Sequence, residues 1–252
     1  MKTQVVIIGF GTMGKAIAKA ISKKDRKIMI FGIDKDKPNM KRIIQKVSEA
    51  DFIILSIKPQ DAKEIIAEIK DYLNKKTILI SIMAGVSIKE LIHLSGHQKI
   101  VRMMPNLGLS VGQGIAVWKK TGLSILESKK AKIFLDKISD NFEIKNEDTI
   151  NKVTAISGSG PAYFFLLAES LVNASCNLGL NKNESIKLVE KTLLSSAFLG
   201  DKGNYSSLIK KVASKGGTTE AALKVFQKEN FNKIILKVVT AAYKRAQELS
   251  NE

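Results

Sequence analysis

The residues best suited to chemistry begin near the amino terminus, where three glycines form the pattern G-x-G-x-x-G at positions 9–14. The preceding run Val5–Ile8 is typical of a buried strand, and the apolar spacing from Ala16 onward is helical. Strand, glycine turn and helix in this order predict a site for a dinucleotide. The first glycine makes the turn, the second admits the pyrophosphate, and the third lets helix and strand pack. An ordinary tight turn is the alternative interpretation.

Three more segments follow predicted strands at the point where each strand ends. They are Ser56-Ile57-Lys58-Pro59, Met83-Ala84-Gly85 and Arg102-Met103-Met104-Pro105-Asn106. Doubly wound sheets bind ligands at the carboxyl ends of their strands. Each segment by itself is also typical of a plain strand-end loop, but together they indicate a ligand crevice shared with the glycine turn.

Two further segments interrupt predicted helices. In Ser214-Lys215-Gly216-Gly217-Thr218-Thr219, hydroxyls and free N–H groups at a helix start suit a carboxylate. In the segment 154–163, two glycines and Pro161 cost about 1 kcal/mol per Gly and about 3 for an interior Pro. We therefore expect one helix to stop there and another to start with Pro161 in its first turn. A polar ligand and a close helix–helix contact explain this segment equally well.

The elements that must position these residues fall into two parts. Strands and helices alternate up to residue 146, which predicts an α/β domain with a doubly wound parallel sheet at 1–146. The predicted strands are Val5–Ile8, Lys27–Ile33, Asp51–Ile57, Thr77–Ile82, Lys99–Met103, Gly114–Trp118 and Phe142–Ile144. The predicted helices there include Ala62–Tyr72 and Ser87–Leu94, with Ser87 as the N-cap.

From Glu147 the strand period disappears, which predicts a second, all-helical domain at 147–252. Its predicted helices are Ala162–Leu178, Lys182–Leu199, Tyr205–Val212, Thr218–Gln227 and Asn230–Leu249. Their apolar faces are too wide to be buried within one short chain, as Phe164, Leu167 and Leu171 illustrate. We therefore expect dimerisation through this domain.

Composition bounds the class of protein. The chain has 252 residues, 44% hydrophobic and 26% charged, and a formal net charge of +17. Its lysine pairs are scattered and not interleaved with aromatic residues, so we expect a solvated basic surface without specific nucleic-acid binding. The sequence contains no apolar run long enough for a membrane span and no clear signal peptide. We expect a cytoplasmic protein.

The single cysteine, the single tryptophan and the two histidines do not indicate a specific function. Cys176 is expected to be a buried thiol in a reducing compartment, and Trp118 a core residue. His93 and His97 are expected at the surface, without a metal, because Gly96 breaks the helix between them and no third ligand is near.

With these residues in view, the chain resembles the pyrroline-5-carboxylate reductase family over nearly its whole length. The most specific matches are T-A-x-S-G-S-G-P-A-Y at 154–163 and S-x-G-G-T-T at 214–219. The resemblance implies a Rossmann domain and a helical dimerisation domain with interlocked subunits. It implies reduction of 1-pyrroline-5-carboxylate to L-proline with NADPH or NADH, the last step of proline biosynthesis. The sequence leaves open whether such homodimers form a ring.

The resemblance also implies roles for individual residues. Thr219 would be the catalytic contact, hydrogen-bonded to the ring nitrogen, and Thr154 would face the nicotinamide. The predicted substrate-binding residues are Val212, Ser214, Gly216, Gly217, Thr218 and Thr219. The predicted cofactor-binding residues are Gly9, Phe10, Gly11, Thr12, Met13, Gly14, Asp34, Ser56, Ile57, Lys58, Pro59, Met83, Ala84, Gly85, Asn106 and Thr154.

The chain departs from the family pattern in three places. Lys215 replaces a usual proline, and Leu107-Gly108 replace Thr-Pro. The stretch between the second strand and Asp51 is short, as though a helix and a strand were lost. Cofactor choice stays open, because Asp34 would bind the ribose 2′-hydroxyl of NADH, whereas the nearby Lys35 and Lys37 would bind the 2′-phosphate of NADPH.

Two alternatives accompany this function. A β-hydroxyacid reductase of the same two-domain plan would carry a lysine on the long helix after the glycine-rich segment, and Ala162–Leu178 contains none. A nonenzymatic paralogue that keeps the fold for binding or regulation is the other, and the changes at Lys215 and Leu107-Gly108 allow it.

Overall fold

A computed structural model describes residues 2–33, 40–200 and 203–250 of the chain. The described residues form two compact units. The first comprises the chain up to Ser159 together with the residues from Ala242 onward, and the second comprises Gly160–Ala241. These units divide the chain by packing, whereas the boundary at residue 146 was placed where the strand pattern ends, so that boundary stays a prediction.

The first unit is built on a seven-stranded sheet of described residues, in the order β2-β1-β3-β4-β5-β6-β7. The strands are β1 Gln4–Ile8, β2 Met29–Ile33, β3 Phe52–Leu55, β4 Ile78–Ser81, β5 Ile100–Pro105, β6 Ile115–Thr121 and β7 Asp140–Glu143. The first five run parallel, as the sequence predicts. The α/β, doubly wound fold class is therefore confirmed.

The last two strands correct the expectation of a wholly parallel sheet. β6 pairs antiparallel with β5, and β7 runs parallel to β6. The link between β5 and β6 holds only a short 3₁₀ turn, Leu107–Val111. Because a parallel pairing needs a longer crossover, usually a helix, so short a link reverses the chain.

Helices cover both faces of the sheet, which explains why its central strands are apolar throughout. In the first unit they are α1 Thr12–Lys24, α2 Met40–Glu49, α3 Ala62–Ile69, α4 Ile88–Ser95, α5 Ile125–Leu135 and α6 Asp148–Val153. Alternate residues of β1 divide between two cores, since Val5 and Ile7 pack with α1 and α5, while Val6 and Ile8 pack with α2, α3 and α4. Trp118 is buried in the first core, as predicted.

Two of these helices correct the sequence analysis. The stretch before Asp51 has kept a helix, α2, whose Val47 is buried against the sheet. Helix α5 was not predicted, although Ser124 and Glu127 form a capping box that marks its start. Lys99 and Ser124 hydrogen-bond to the Glu127 carboxylate and hold its pKa at about 2.

The glycine-rich segment contains the change from one helix to the next. Residues Thr154–Gly158 form a π-helical turn between α6 and the long helix α7, Gly160–Asn177. The Ser159 N–H donates to the Thr154 carbonyl at 2.8 Å, a bond across five residues. Ser159 is not helical and α7 begins at Gly160, so Pro161 lies in the first turn of a new helix, as predicted. The π turn that precedes this helix was not predicted.

The second unit is helical, as predicted. After α7 it contains α8 Lys182–Leu199, α9 Tyr205–Val212, α10 Thr218–Lys228 and the start of α11 Phe231–Leu249. The predicted bounds of α8 and α9 match the structure residue for residue. Large apolar side chains are exposed on every one of these helices, among them Phe165, Phe198 and Leu236.

Two reactive side chains differ from expectation. His97 is buried, and its Nε2 lies 2.8 Å from the Thr77 carbonyl, to which it donates. It is therefore a structural tie between the loop after α4 and the start of β4, whereas His93 is exposed as predicted. Cys176 is half-buried in the single chain, beside the Ser185 hydroxyl.

Candidate functional site

The predicted cofactor residues of the first unit converge on one edge of its sheet. The glycine turn follows β1, Ser56–Pro59 follow β3, Met83–Gly85 follow β4 and Asn106 follows β5. These four strands are neighbours and parallel, so their carboxyl ends lie side by side. The chain order reverses between β1 and β3, and that switch point is where doubly wound sheets form a ligand crevice.

Two glycines of the turn are fixed by contact with the backbone. Gly9 has a φ of +90°, and a Cβ there would lie 2.3 Å from the Ser56 carbonyl oxygen. A Cβ on Gly14 would lie 2.3 Å from the Gly9 carbonyl oxygen and 3.3 Å from Ile7 Cγ2. Both positions therefore exclude any side chain, because backbone atoms cannot move away.

Gly11 behaves differently, and it provides a test of whether a dinucleotide fits. A Cβ on Gly11 would meet no described atom within 4 Å, and its φ of −76° suits any residue. The fold itself does not require glycine here. Gly11 caps the start of α1, where no side chain supplies the capping hydrogen bond. A bare backbone facing open space at a helix N-terminus fits a pyrophosphate.

The other turn residues have mixed surroundings. Phe10 packs against the first core and lies over Gly32, where a Cβ would come within 2.3 Å of its ring. Met13 also packs against that core, and Thr12 opens α1. Ile57 lies beside Gly9, and Lys58-Pro59 begin a short 3₁₀ turn before α3. Asp34 lies outside the described residues.

The loop after β4 is packed closely against the end of α11 on one side. Gly85 has a φ of +82°, and a Cβ there would lie 2.4 Å from the Leu249 carbonyl oxygen. Met83 is buried, and Ala84 packs against the buried cluster that contains Met104 and Ile150. The last turn of α11 therefore lies directly behind this predicted cofactor loop.

The segment after β5 is held by polar contacts. Asn106 Oδ1 accepts the Ile115 N–H at 3.2 Å, which sets the start of β6. The unusual Leu107-Gly108 pair begins the 3₁₀ turn, whose Leu109 is buried in the first core. The departure from Thr-Pro is thus accommodated by packing within the first unit.

Arg102 forms an ion pair with Glu147 that the sequence analysis did not predict. Its side chain is 2% exposed, and Nη1 donates to Glu147 Oε1 at 2.6 Å. The same oxygen accepts the Ile88 N–H at 2.8 Å. Arg102 and Glu147 therefore hold together β5, the start of α4 and the start of α6. The arginine in a strand-end motif was the available signal, but its partner lies 45 residues away.

Thr154 lies in the π turn, half-buried. Its hydroxyl donates to the Ile150 carbonyl at 2.7 Å, and its own carbonyl accepts the Ser159 N–H. The turn is thus held by the backbone as well as by the side chain.

The predicted substrate residues form a separate group in the second unit. Val212 ends α9, Gly217 is the N-cap of α10, and Thr218 and Thr219 open that helix. A Cβ on Gly217 would lie 2.6 Å from Ser214 Oγ, so glycine leaves room for that hydroxyl. The first turn of α10 receives no side-chain cap from Gly217, which leaves N–H groups for an anion.

Glu220 enters this group although the sequence did not single it out. Its carboxylate accepts the Gly216 N–H at 2.5 Å and pairs with Lys224 at 3.1 Å. These contacts, that of Gly216 foremost, hold the pKa of Glu220 below its usual value. A carboxylate of the protein itself thus binds one of the N–H groups predicted for the substrate carboxylate.

The described residues lack the features of a metal cluster and of a membrane-spanning helix. They hold no cluster of three or more His, Cys, Asp or Glu side chains that could bind a metal ion. Within the same ranges, no helix is both long and apolar enough to cross a membrane.

Comparisons with known proteins agree with this architecture. The family profile described as "NADP oxidoreductase coenzyme F420-dependent" matches residues 4–85, and "Pyrroline-5-carboxylate reductase dimerisation" matches residues 147–249. The pyrroline-5-carboxylate reductase of Aquifex aeolicus is 32% identical over 98% of this chain and 97% of its own length. That of Arabidopsis thaliana is 34% identical over 81% and 75%.

Solved structures give the same result. The Plasmodium falciparum pyrroline carboxylate reductase, solved with NADP bound, is 28% identical, covers 99% of both chains and has a TM-score of 0.88. The Coxiella burnetii pyrroline-5-carboxylate reductase is 30% identical with a TM-score of 0.86 over 99% of both chains. The fold and the glycine turn define a dinucleotide-dependent oxidoreductase with a helical dimerisation domain. The chain belongs to the pyrroline-5-carboxylate reductase family.

Proposed function

We propose that this protein reduces 1-pyrroline-5-carboxylate to L-proline with NADPH or NADH, the last step of proline biosynthesis. The observation that carries the proposal is the similarity to pyrroline-5-carboxylate reductases over 98% of the chain. The glycine turn supports it. Backbone atoms leave no room for a side chain at Gly9 and Gly14, whereas the backbone at Gly11 faces open space that a pyrophosphate could occupy. We expect the reaction, an oxidation–reduction at a CH–NH bond, to take place in the cytoplasm.

The cofactor would be bound by the strand-end residues of the first unit. Gly11 and the start of α1 would bind the pyrophosphate through backbone N–H groups. The loops Ser56–Pro59 and Met83–Gly85, with Asn106 and Thr154, would surround the rest of the dinucleotide. When bound, the reduced nicotinamide supplies a hydride to the carbon of the C=N bond.

The substrate would be bound by residues at the start of α10. The Thr218 N–H and the Ser214 hydroxyl would bind the substrate carboxylate. The Gly216-Gly217 backbone would lie beside it, and the substrate would compete with Glu220 for the Gly216 N–H. The Thr219 hydroxyl would hydrogen-bond to the ring nitrogen, because a hydroxyl both donates and accepts and so suits imine and amine alike. Val212, exposed at the end of α9, would contact the ring.

These residues would act mainly by positioning. A protonated cyclic imine is already electrophilic, so the enzyme chiefly has to hold two reactants in near-attack geometry, which can supply up to about 7–11 kcal/mol. This agrees with a site that is rich in glycine, serine and threonine. The β-hydroxyacid alternative has no support in α7, whose sequence from Gly160 to Asn177 contains no lysine.

The decisive experiment follows the absorbance of NADPH and of NADH when pyrroline-5-carboxylate is added to the purified protein. We expect oxidation of both cofactors and formation of L-proline. We expect neither cofactor to be oxidised when the oxo acid that corresponds to a β-hydroxyacid is added instead. A protein that binds NADPH tightly without turnover would instead support the nonenzymatic alternative.

The same assay tests cofactor choice. Asp34 would favour NADH by binding the ribose 2′-hydroxyl and repelling a 2′-phosphate. If Asp34→Ser leaves the ratio of kcat/KM for NADH and NADPH unchanged, Asp34 does not determine the preference.

A further inference from the structure

The last turn of α11 lies against the loop that follows β4. A Cβ on Gly85 would lie 2.4 Å from the Leu249 carbonyl oxygen and 3.0 Å from Leu249 Cβ. Gly85 also has a φ of +82°. The loop therefore meets the helix backbone directly, with no room for a side chain between them.

The same end of α11 is bound to α6, which leads into the π turn. The Tyr243 hydroxyl donates to the Asp148 carboxylate at 3.1 Å, and Gln247 Nε2 donates to that hydroxyl at 2.9 Å. One turn beyond, the Ser250 hydroxyl lies 2.9 Å from the Ala246 carbonyl oxygen and 3.2 Å from Asn151 Oδ1, and its one proton is shared between these two acceptors. Ala246, which lies between these contacts along the helix, is buried.

The end of α11 thus holds two of the segments that are predicted to contact the cofactor. The loop Met83–Gly85 is backed by Leu249, and Thr154 follows α6, which is anchored by Tyr243 and Ser250. One face of that loop would have to stay bare for a dinucleotide to approach, so the loop cannot be fixed from that side. Fixing it from behind lowers the cost of ordering it when the cofactor binds.

We propose that Tyr243, Leu249 and Ser250 are positioning residues for the cofactor, which hold the Met83–Gly85 loop and α6 in the geometry that binds it. The proposal rests on the proposed function for the identity of the cofactor. It does not depend on turnover, since the contacts act on binding.

The test compares Tyr243→Phe, and Tyr243→Phe combined with Ser250→Ala, with the wild-type chain. Tyr243→Phe keeps the aromatic ring and removes only the hydroxyl. Lys244→Ala is the matched control, because Lys244 is exposed on the same helix. The NADPH dissociation constant is measured by calorimetry, and amide hydrogen exchange of residues 82–86 by mass spectrometry, both without substrate.

We expect the double variant to raise the NADPH dissociation constant by about three- to tenfold, with a smaller rise for Tyr243→Phe. Exchange of the 82–86 segment should accelerate about fivefold or more, since the loop loses its backing. Exchange of residues 9–14 and the sedimentation coefficient should match those of Lys244→Ala.

The proposal is overturned if the NADPH dissociation constant and the loop exchange of the variants equal those of the control, even when Tm falls. A contact that only stabilises the fold would lower Tm alone. If the double variant does not fold, Tyr243→Phe decides by the same criteria. A wild-type chain that binds NADPH without reducing pyrroline-5-carboxylate would contradict the proposed function and leave this positioning role standing.

Discussion

At the scale of single residues, Thr219 is the side chain on which the proposed chemistry depends most. Helix α10 is capped by Gly217, so Thr219 lies inside the first turn and does not occupy the cap position. Thr219 as a whole is half-buried. The alternative, that this threonine merely caps the helix, loses its geometric basis.

Replacing Thr219 by alanine separates the two roles. We expect kcat/KM for pyrroline-5-carboxylate to fall by about 1–3 kcal/mol, or roughly 5- to 150-fold, because a substrate hydrogen bond is lost. Tm should change little, since alanine is an excellent helix former. Steady-state kinetics and thermal unfolding check both expectations. A less stable variant with normal kinetics would contradict the substrate contact.

Glu220 provides the second test at this scale. Its carboxylate accepts the Gly216 N–H and places a negative charge beside the predicted carboxylate position. Glu220→Gln should lower KM for pyrroline-5-carboxylate about two- to fivefold, since charges near a helix start contribute about 0.3–1 kcal/mol. Glu229→Gln, which removes a charge at the other end of α10, is the control. A higher KM in Glu220→Gln would show that this carboxylate assists binding.

At the scale of elements, the glycines of the turn between β1 and α1 serve two purposes. Some are required by the packing of the fold, and another leaves space for a ligand. A side chain on Gly14 would strike backbone, whereas one on Gly11 would point into open space. The two glycines look alike in the motif, yet their surroundings assign them different functions.

Paired alanine substitutions measure this division. Gly11→Ala should leave the free energy of unfolding nearly unchanged and raise the NADPH dissociation constant at least about tenfold, or 1.4 kcal/mol. Gly14→Ala should in addition destabilise the fold by about 1–3 kcal/mol, because the methyl group overpacks the turn. Calorimetry gives the affinity and urea unfolding gives the stability. A stable Gly11→Ala variant that binds NADPH normally would exclude the pyrophosphate from this position.

At the scale of the whole molecule, the second unit exposes large apolar side chains on all of its described helices. Four consecutive residues of α7, Phe164–Leu167, are exposed large hydrophobics, so this turn of the helix is apolar on all sides. A helix of that kind is buried in its functional state. The match of residues 147–249 to a dimerisation family agrees with this requirement. We therefore propose an obligate homodimer.

Charge introduced into this surface should disrupt the dimer. Phe165→Glu would bury an unpaired carboxylate, so we expect the dimer dissociation constant to rise at least about tenfold, or 1.4 kcal/mol, and activity to fall with it. Lys89→Glu, at an exposed position of α4, should leave both unchanged. Sedimentation at micromolar concentration makes the comparison. A wild-type monomer with full activity would contradict the proposal.

The sequence alone determined the features that depend on local patterns. The order of strand, glycine turn and helix, the change of period near residue 147 and the bounds of α8 and α9 all follow from neighbouring residues. Propensity, spacing and capping act within a few residues, so a periodic reading captures them. The motifs at 154–163 and 214–219 carried the family resemblance in the same way.

Only the tertiary structure decided the features that depend on contacts between distant residues. The burial of His97, the Arg102–Glu147 ion pair and the contact of Gly85 with Leu249 join positions 20 or more residues apart. The π turn at 154–158, which no local pattern predicted, lies between α6 and α7. Packing partners that lie far apart in the sequence leave no periodic trace in it.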